Sequence, residues 1–255
     1  MALEAVPIGG GPPSPKTTRI LFLAAVLLSA CGQEPGERIR GAYDAARHPT
    51  EANKVRIEAL LRDDDRDVRT TALVVMESLD LERAQAMART AIDDRDGLVR
   101  AAAVEILGRN ADPDLVQRLA ALAVGDPVWQ VRSRALEAIA AFPEDEAVRG
   151  AFERALGDSV RHVRRVALGA GTSSPGLVPV GALVPLATGD PDWENRVEAV
   201  RALGVSGDPA AYAGLDAAAG DPNEFVRAAA VRARGTLERS GTVRPAPSEI
   251  VEDGV

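Results

Sequence analysis

Apolar positions recur at helical spacing from about residue 50 onward. Val131, Ala135, Leu136 and Ile139 fall at i, i+4, i+5 and i+8, a single apolar stripe on a helix with one buried face. Val99, Ala103, Val104 and Leu107 repeat that stripe 32 residues earlier. Ahead of several such stripes stands Asp-Pro: Asp126-Pro127, Asp190-Pro191 and Asp221-Pro222. An aspartate at an N-cap accepts orphan backbone N–H groups, and a proline at the first helical position has none to lose. Gly108, Gly204 and Gly235 lie near the ends of the striped segments, where a left-handed residue closes a helix. A further helix is predicted before each stripe, for example over residues 115–124 and 144–156. Two helices in about 32 residues leave room only for short turns, so they pack antiparallel.

The stripes belong to a repeat. Arg69, Arg100, Arg132, Arg164, Arg196 and Arg227 are separated by 31, 32, 32, 32 and 31 residues. Six residues before each stands Asp63, Asp94, Asp126, Asp158, Asp190 or Asp221, and three after each stands Ala72, Ala103, Ala135, Ala167, Ala199 or Ala230. A valine precedes every one of these arginines except the fifth, which follows Asn195. An aspartate and an arginine six apart do not share a helix face, so they are expected to pair between adjacent repeats and form a ladder. The alanine marks a close approach of helices, where a larger side chain costs about 1–3 kcal/mol. The fifth repeat is irregular: residues 169–176 read as a loose loop, and the helix after it carries Pro179, Gly181 and Pro185.

The pattern Asp-x4-Val-Arg-x2-Ala resembles the HEAT-like repeats first named from phycobilin lyases. The resemblance covers residues 50–240 and implies an all-α fold, an α–α superhelix or HEAT-like solenoid of about six hairpins. The solenoid is assigned to residues 39–240 and a flexible C-terminal tail to residues 241–255.

Residues 1–30 read as a targeting segment. The basic Lys16 and Arg19 precede an apolar run over residues 20–30, which is shorter than the ~20 residues that cross a bilayer and suits a signal-peptide core. Cys31, the chain's single cysteine, follows at once. Leu28-Ser29-Ala30-Cys31 resembles the lipobox of bacterial lipoproteins, in which the cysteine sulfur takes a diacylglycerol and becomes the new N-terminus. The resemblance makes Cys31 the lipidation site. Because Gly32 rather than aspartate follows, it also implies the outer membrane, facing the periplasm, if the source is Gram-negative. Residues 31–38 then form a short tether whose last seven residues reach about 25 Å.

Composition narrows the chemistry. Only 3% of the 255 residues are aromatic, so the core is built from Ala, Val and Leu. The net charge of −8 argues against a nucleic-acid partner, which a basic face would attract. His48 and His162 are isolated and neither precedes a glutamate, so the His-Glu metal pairs of the deoxyhypusine-type HEAT hydroxylases are not expected. Asp63-Asp64-Asp65 lacks the glycine turn and distal glutamate of an EF-hand loop. No catalytic residue, metal or cofactor is nominated. The expected function is a non-catalytic, lipid-anchored scaffold or adaptor that binds a protein or peptide of the bacterial cell envelope on the concave side, lined by the second helices. Trp129 and Trp193, at equivalent positions two repeats apart, are the candidate partner contacts. The alternative is a HEAT-fold enzyme or enzyme-associated protein related to phycobilin lyases or metal-dependent oxidoreductases.

Overall fold

A computed structural model describes residues 34–109 and 112–245. Thirteen α-helices and two short 3-10 turns make up its regular structure, with no strand among the described residues. They divide into two compact units, one ending at Ile106 and the other beginning at Leu107.

The first unit contains α1 (Pro35–Ala46), α2 (Glu51–Ala59), α3 (Arg66–Leu79), α4 (Leu81–Ala91) and α5 (Gly97–Gly108), whose last two residues are counted with the second unit. Within the unit α1 packs on α2 and α3, and α3 packs on α4. Because α1 starts at Pro35, helix already occupies half of the stretch assigned to a tether.

The second unit contains α6 (Val116–Gly125), α7 (Trp129–Ile139), α8 (Glu146–Ala155), α9 (Arg161–Ser173), α10 (Val180–Gly189), α11 (Trp193–Val205), α12 (Ala211–Ala218) and α13 (Glu224–Arg239). Two layers alternate along the chain. The first helix of each hairpin (α6, α8, α10, α12) lies in one layer and the second (α7, α9, α11, α13) in the other. Phe152, Leu136, Leu168, Leu183 and Leu203 are wholly buried between them, each such side chain contributing about 1.5–3 kcal/mol.

The alanine three residues after each repeat arginine is at most 1% exposed in all six repeats. Some second helices approach one another still more closely. A Cβ added to Gly204 of α11 would lie 2.7 Å from the Cβ of Ala233 of α13, and one on Gly108 would lie 2.9 Å from that of Ala138. These glycines therefore make room for a neighbouring helix. They do not close left-handed turns: among the described residues positive φ occurs at Gly176, Gly207 and Gly241.

The aspartates also sit differently from N-caps. Asp126, Asp158, Asp190 and Asp221 each accept, at Oδ1, the backbone N–H two residues on (Val128, Val160, Asp192, Asn223; 2.8–2.9 Å). This is an Asx turn. The N-cap comes two residues later, as Asp192 and Asn223 show by accepting from Glu194 and Phe225, and the prolines lie inside the turn. In the fifth repeat α9 continues to Ser173, so the predicted loop shrinks to a turn around Gly176. Pro185 lies within α10. At the other end, residues 241–245 are docked rather than loose: the Thr242 carbonyl accepts from Tyr212 Oη at 3.1 Å, and Arg244 pairs with Asp216.

Candidate functional site

The turn geometry aims Arg69, Arg132, Arg164 and Arg196 each at two targets. Nη1 of Arg164 donates back to the Asp158 carbonyl at 2.8 Å, holding its own turn, while Nε and Nη2 donate to both oxygens of Asp190 at 2.7 and 2.9 Å. Arg132 makes the same set to Asp126 O and Asp158, and Arg196 to Asp190 O and Asp221. In the first unit Arg69 donates to Asp63 O and to Asp94, and Arg38 pairs with Asp63. Arg100 holds its own turn through Asp94 O. The fork of a guanidinium matches two carboxylate oxygens, so each pair fixes distance and orientation between hairpins. Burial works against the Asp94, Asp158 and Asp190 carboxylates, but the arginine and turn N–H donors outweigh it and hold all three below the usual carboxylate range. Asp221 is lowered chiefly by Arg196. These residues hold the structure together and are not free to bind a ligand.

What the ladder leaves on the surface is a row at the starts of the second helices of the second unit. Trp129 meets His162 of the next hairpin edge-on, with ring centroids 5.1 Å apart, and Trp193 meets Phe225 in a tilted stack at 5.3 Å. The two tryptophans are 37% and 39% exposed, and Phe225 is 57% exposed. Between the aromatic pairs lie ion pairs: Arg161 with Asp192 at 2.8 Å and Arg165 with Glu194 at 2.6 Å. Side chains near one helix start thus reach the start of the next, because the repeat keeps them in register.

Asn195 ties this row to the ladder. It is 1% exposed, and its Nδ2 donates to the Arg161 carbonyl at 3.1 Å and to Asp190 Oδ2 at 3.3 Å. In the sequence it is visible only as the exception to the valine rule. His48 is a turn residue whose carbonyl accepts from Asn53. Asp63 and Asp65 form the turn before α3 and cap it. Cys31 lies outside the described residues.

A second feature is a cleft of about 880 Å³ in the first layer. It lies where α8 and α10 do not pack closely, and is bounded by α6, α8 and the turn before α10. Asp145, Glu146, Glu153, Arg149, Arg154 and Gln117 line it. Among the described residues no three His, Cys, Asp or Glu side chains gather as they would to hold a metal ion.

The chain belongs to the HEAT-repeat family, whose model, described as HEAT repeats, matches residues 53–140 and 180–248. No curated protein matches it. Solved structures do. The X-ray structure of YibA from E. coli is 18% identical, with a TM-score of 0.54 over 75% of this chain and 72% of that one. Human deoxyhypusine hydroxylase in complex with glycerol is 17% identical over 88% of this chain and 99% of that one, with a TM-score of 0.38. The complex of CpcE and CpcF of phycocyanin lyase from Nostoc sp. PCC7120 is 22% identical over 94% and 99%, with a TM-score of 0.45. At these identities the likenesses speak of the fold. The expectation of a chain that is not an enzyme is nevertheless corrected: membership of the HEAT-repeat family fixes the fold, and a fold that hosts many activities gives no ground for excluding catalysis.

Proposed function

We propose that this HEAT-repeat chain works by binding another protein of the bacterial cell envelope, through the row formed at the starts of α7, α9, α11 and α13. The observation that carries this reading is the pair of exposed aromatic contacts, Trp129–His162 and Trp193–Phe225, set in register on a rigid stack. Tryptophan dominates binding energy where it is partly exposed and pre-positioned, because little side-chain freedom is lost on docking. Intervening ion pairs give the row polar specificity.

The same proposal includes anchoring through a lipid on Cys31, at the outer membrane facing the periplasm if the source is Gram-negative. Three residues separate Cys31 from the first helix at Pro35, and the four steps between them reach at most about 14 Å, so α1 would sit at the membrane surface. Two or more acyl chains suffice for stable attachment.

Proximity labelling in the cells that make the protein tests both parts. Wild type should mark a defined set of envelope proteins. Trp129→Ala with Trp193→Ala should lose that set while remaining at the membrane. Cys31→Ser should leave the membrane fraction. Identical labelling by wild type and the double tryptophan variant would rule out the row.

A second reading, a HEAT-fold enzyme or enzyme-associated protein, is favoured by the cleft beside α8. Its volume falls within the range of about 300–1,000 Å³ that suits small ligands, and both carboxylates and guanidinium groups line it. Visible absorbance and metal content of the protein purified from its own cells decide it. A stoichiometric chromophore or metal supports the reading, and a colourless, metal-free protein still binding its partner through the tryptophans refutes it.

A further inference from the structure

The residue four after each repeat arginine is wholly buried in the first five repeats: Leu73, Val104, Leu136, Leu168 and Val200 are all 0% exposed. Its counterpart in α13 is Val231, 70% exposed. The repeat arginine of α13 is in the same position. Nη1 of Arg227 holds its own turn, donating to the Asp221 and Pro222 carbonyls at 2.7 and 2.9 Å, as Arg132, Arg164 and Arg196 do. Those three also use Nε and Nη2 to grip a carboxylate of the next hairpin. For Arg227, no described residue supplies that carboxylate. Its guanidinium is exposed and already anchored in the orientation that receives one.

We propose that this face of α13 is a docking site for a helical hairpin of a different protein, whose turn aspartate is gripped by Arg227 and whose apolar stripe covers Val231. The inference rests on the reading that the chain binds a protein, and it names a second site and the kind of partner that fits it. A second copy of this chain fits poorly. The aspartate that would continue the ladder stands six residues before a repeat arginine, and six residues before Arg38 the chain has Gly32. Thr242 and Arg244 of this chain are held by Tyr212 and Asp216 of α12. One departure from the internal pattern sets the strength. The buried apolar residue seven after the arginine in most repeats is Arg234 here, tied to Asp216. The apolar area offered is therefore smaller than between internal hairpins, as suits a reversible contact.

Photocrosslinking from position 231 tests this in full-length protein within its own cells, with Val231→benzoylphenylalanine as the probe. The expected product joins position 231 to a helical-hairpin segment of another protein that carries an aspartate in its turn. Arg227→Ala should reduce the yield at least about tenfold, as loss of a bidentate charged contact does. The swap of Arg227→Asp with the partner's aspartate changed to arginine should restore it. A product within residues 246–255 of the same chain, a product with a second copy, a yield indifferent to Arg227, or a yield no greater than from the exposed control position Val243 each overturns the inference. A parallel probe at Gln130, beside Trp129, separates the two readings. Products at 130 but not at 231 leave the aromatic row standing and end this inference, whereas products at neither end both.

Discussion

Replacing Asp190 by alanine probes what the ladder contributes. Asp190 is 2% exposed and accepts four hydrogen bonds: from Arg164 Nε and Nη2, from the Asp192 N–H of its own turn, and from Asn195 Nδ2. Alanine removes both acceptor oxygens, and with them all four bonds, and leaves the Arg164 guanidinium, in a side chain 10% exposed, without its counter-charge. Breaking one side of a buried pair costs about 3–5 kcal/mol. In a chain of this size each kcal/mol lowers the melting midpoint by about 2–4 °C, so the expected fall is about 6–20 °C. Asp190→Asn keeps an acceptor for the turn but loses the charge, and should fall between wild type and alanine. The exposed pair Arg201–Glu198 provides the contrast, since Glu198→Ala should cost no more than about 1 kcal/mol. Urea titration followed by circular dichroism measures the difference. Because a repeat array need not unfold all at once, amide exchange should place the loss of protection in α9–α11. Equal costs for Asp190→Ala and Glu198→Ala would show that the ladder contributes no more than a surface ion pair.

Other outcomes follow from the same geometry. Gly204→Ala should destabilise by about 1–3 kcal/mol, because the new Cβ meets Ala233, whereas Gly150→Ala, with open space around it, should stabilise α8 by about 0.5–1 kcal/mol; paired thermal melts check both. Phe152→Ala empties a fully buried site and should cost about 3–5 kcal/mol in urea. Asp94, Asp158, Asp190 and Asp221 are all held below their ordinary range, so their contribution is complete above about pH 3.9 and is lost as pH falls through their lowered values. Circular dichroism against pH should therefore be flat from pH 7 to about 4 and drop below it; a fall between pH 7 and 5 would contradict the assignment.

The interval that repeats Asp, Arg and Ala is nearly free of local ambiguity, because three residue types recur in lockstep through six units. That is why the helical hairpins were readable from the chain alone. What misled was local chemistry with two uses. Aspartate is favoured both at N-caps and in Asx turns, and only coordinates tell that Asp126 precedes the helix start by three residues. Glycine suits both a left-handed turn and a helix crossing, and Gly204 belongs to the second because of Ala233, a residue 29 positions away that its own neighbourhood does not announce. The aromatic row was half legible. Trp129 and Trp193 stand out by scarcity, but their partners His162 and Phe225 sit one position off register in the next hairpin. The cleft beside α8 arises where two helices do not pack closely, and no single residue type marks such a place.

Arg69, Arg132, Arg164 and Arg196 each reach forward, to an aspartate 25 or 26 residues later in the chain. During synthesis the guanidinium therefore emerges before its carboxylate. At about 5–20 residues per second, every newly made hairpin waits on the order of one to five seconds with its charge unanswered. The growing polypeptide always ends in an adhesive edge, moving from turn to turn, and the order of translation gives the assembly a direction that the finished array no longer shows.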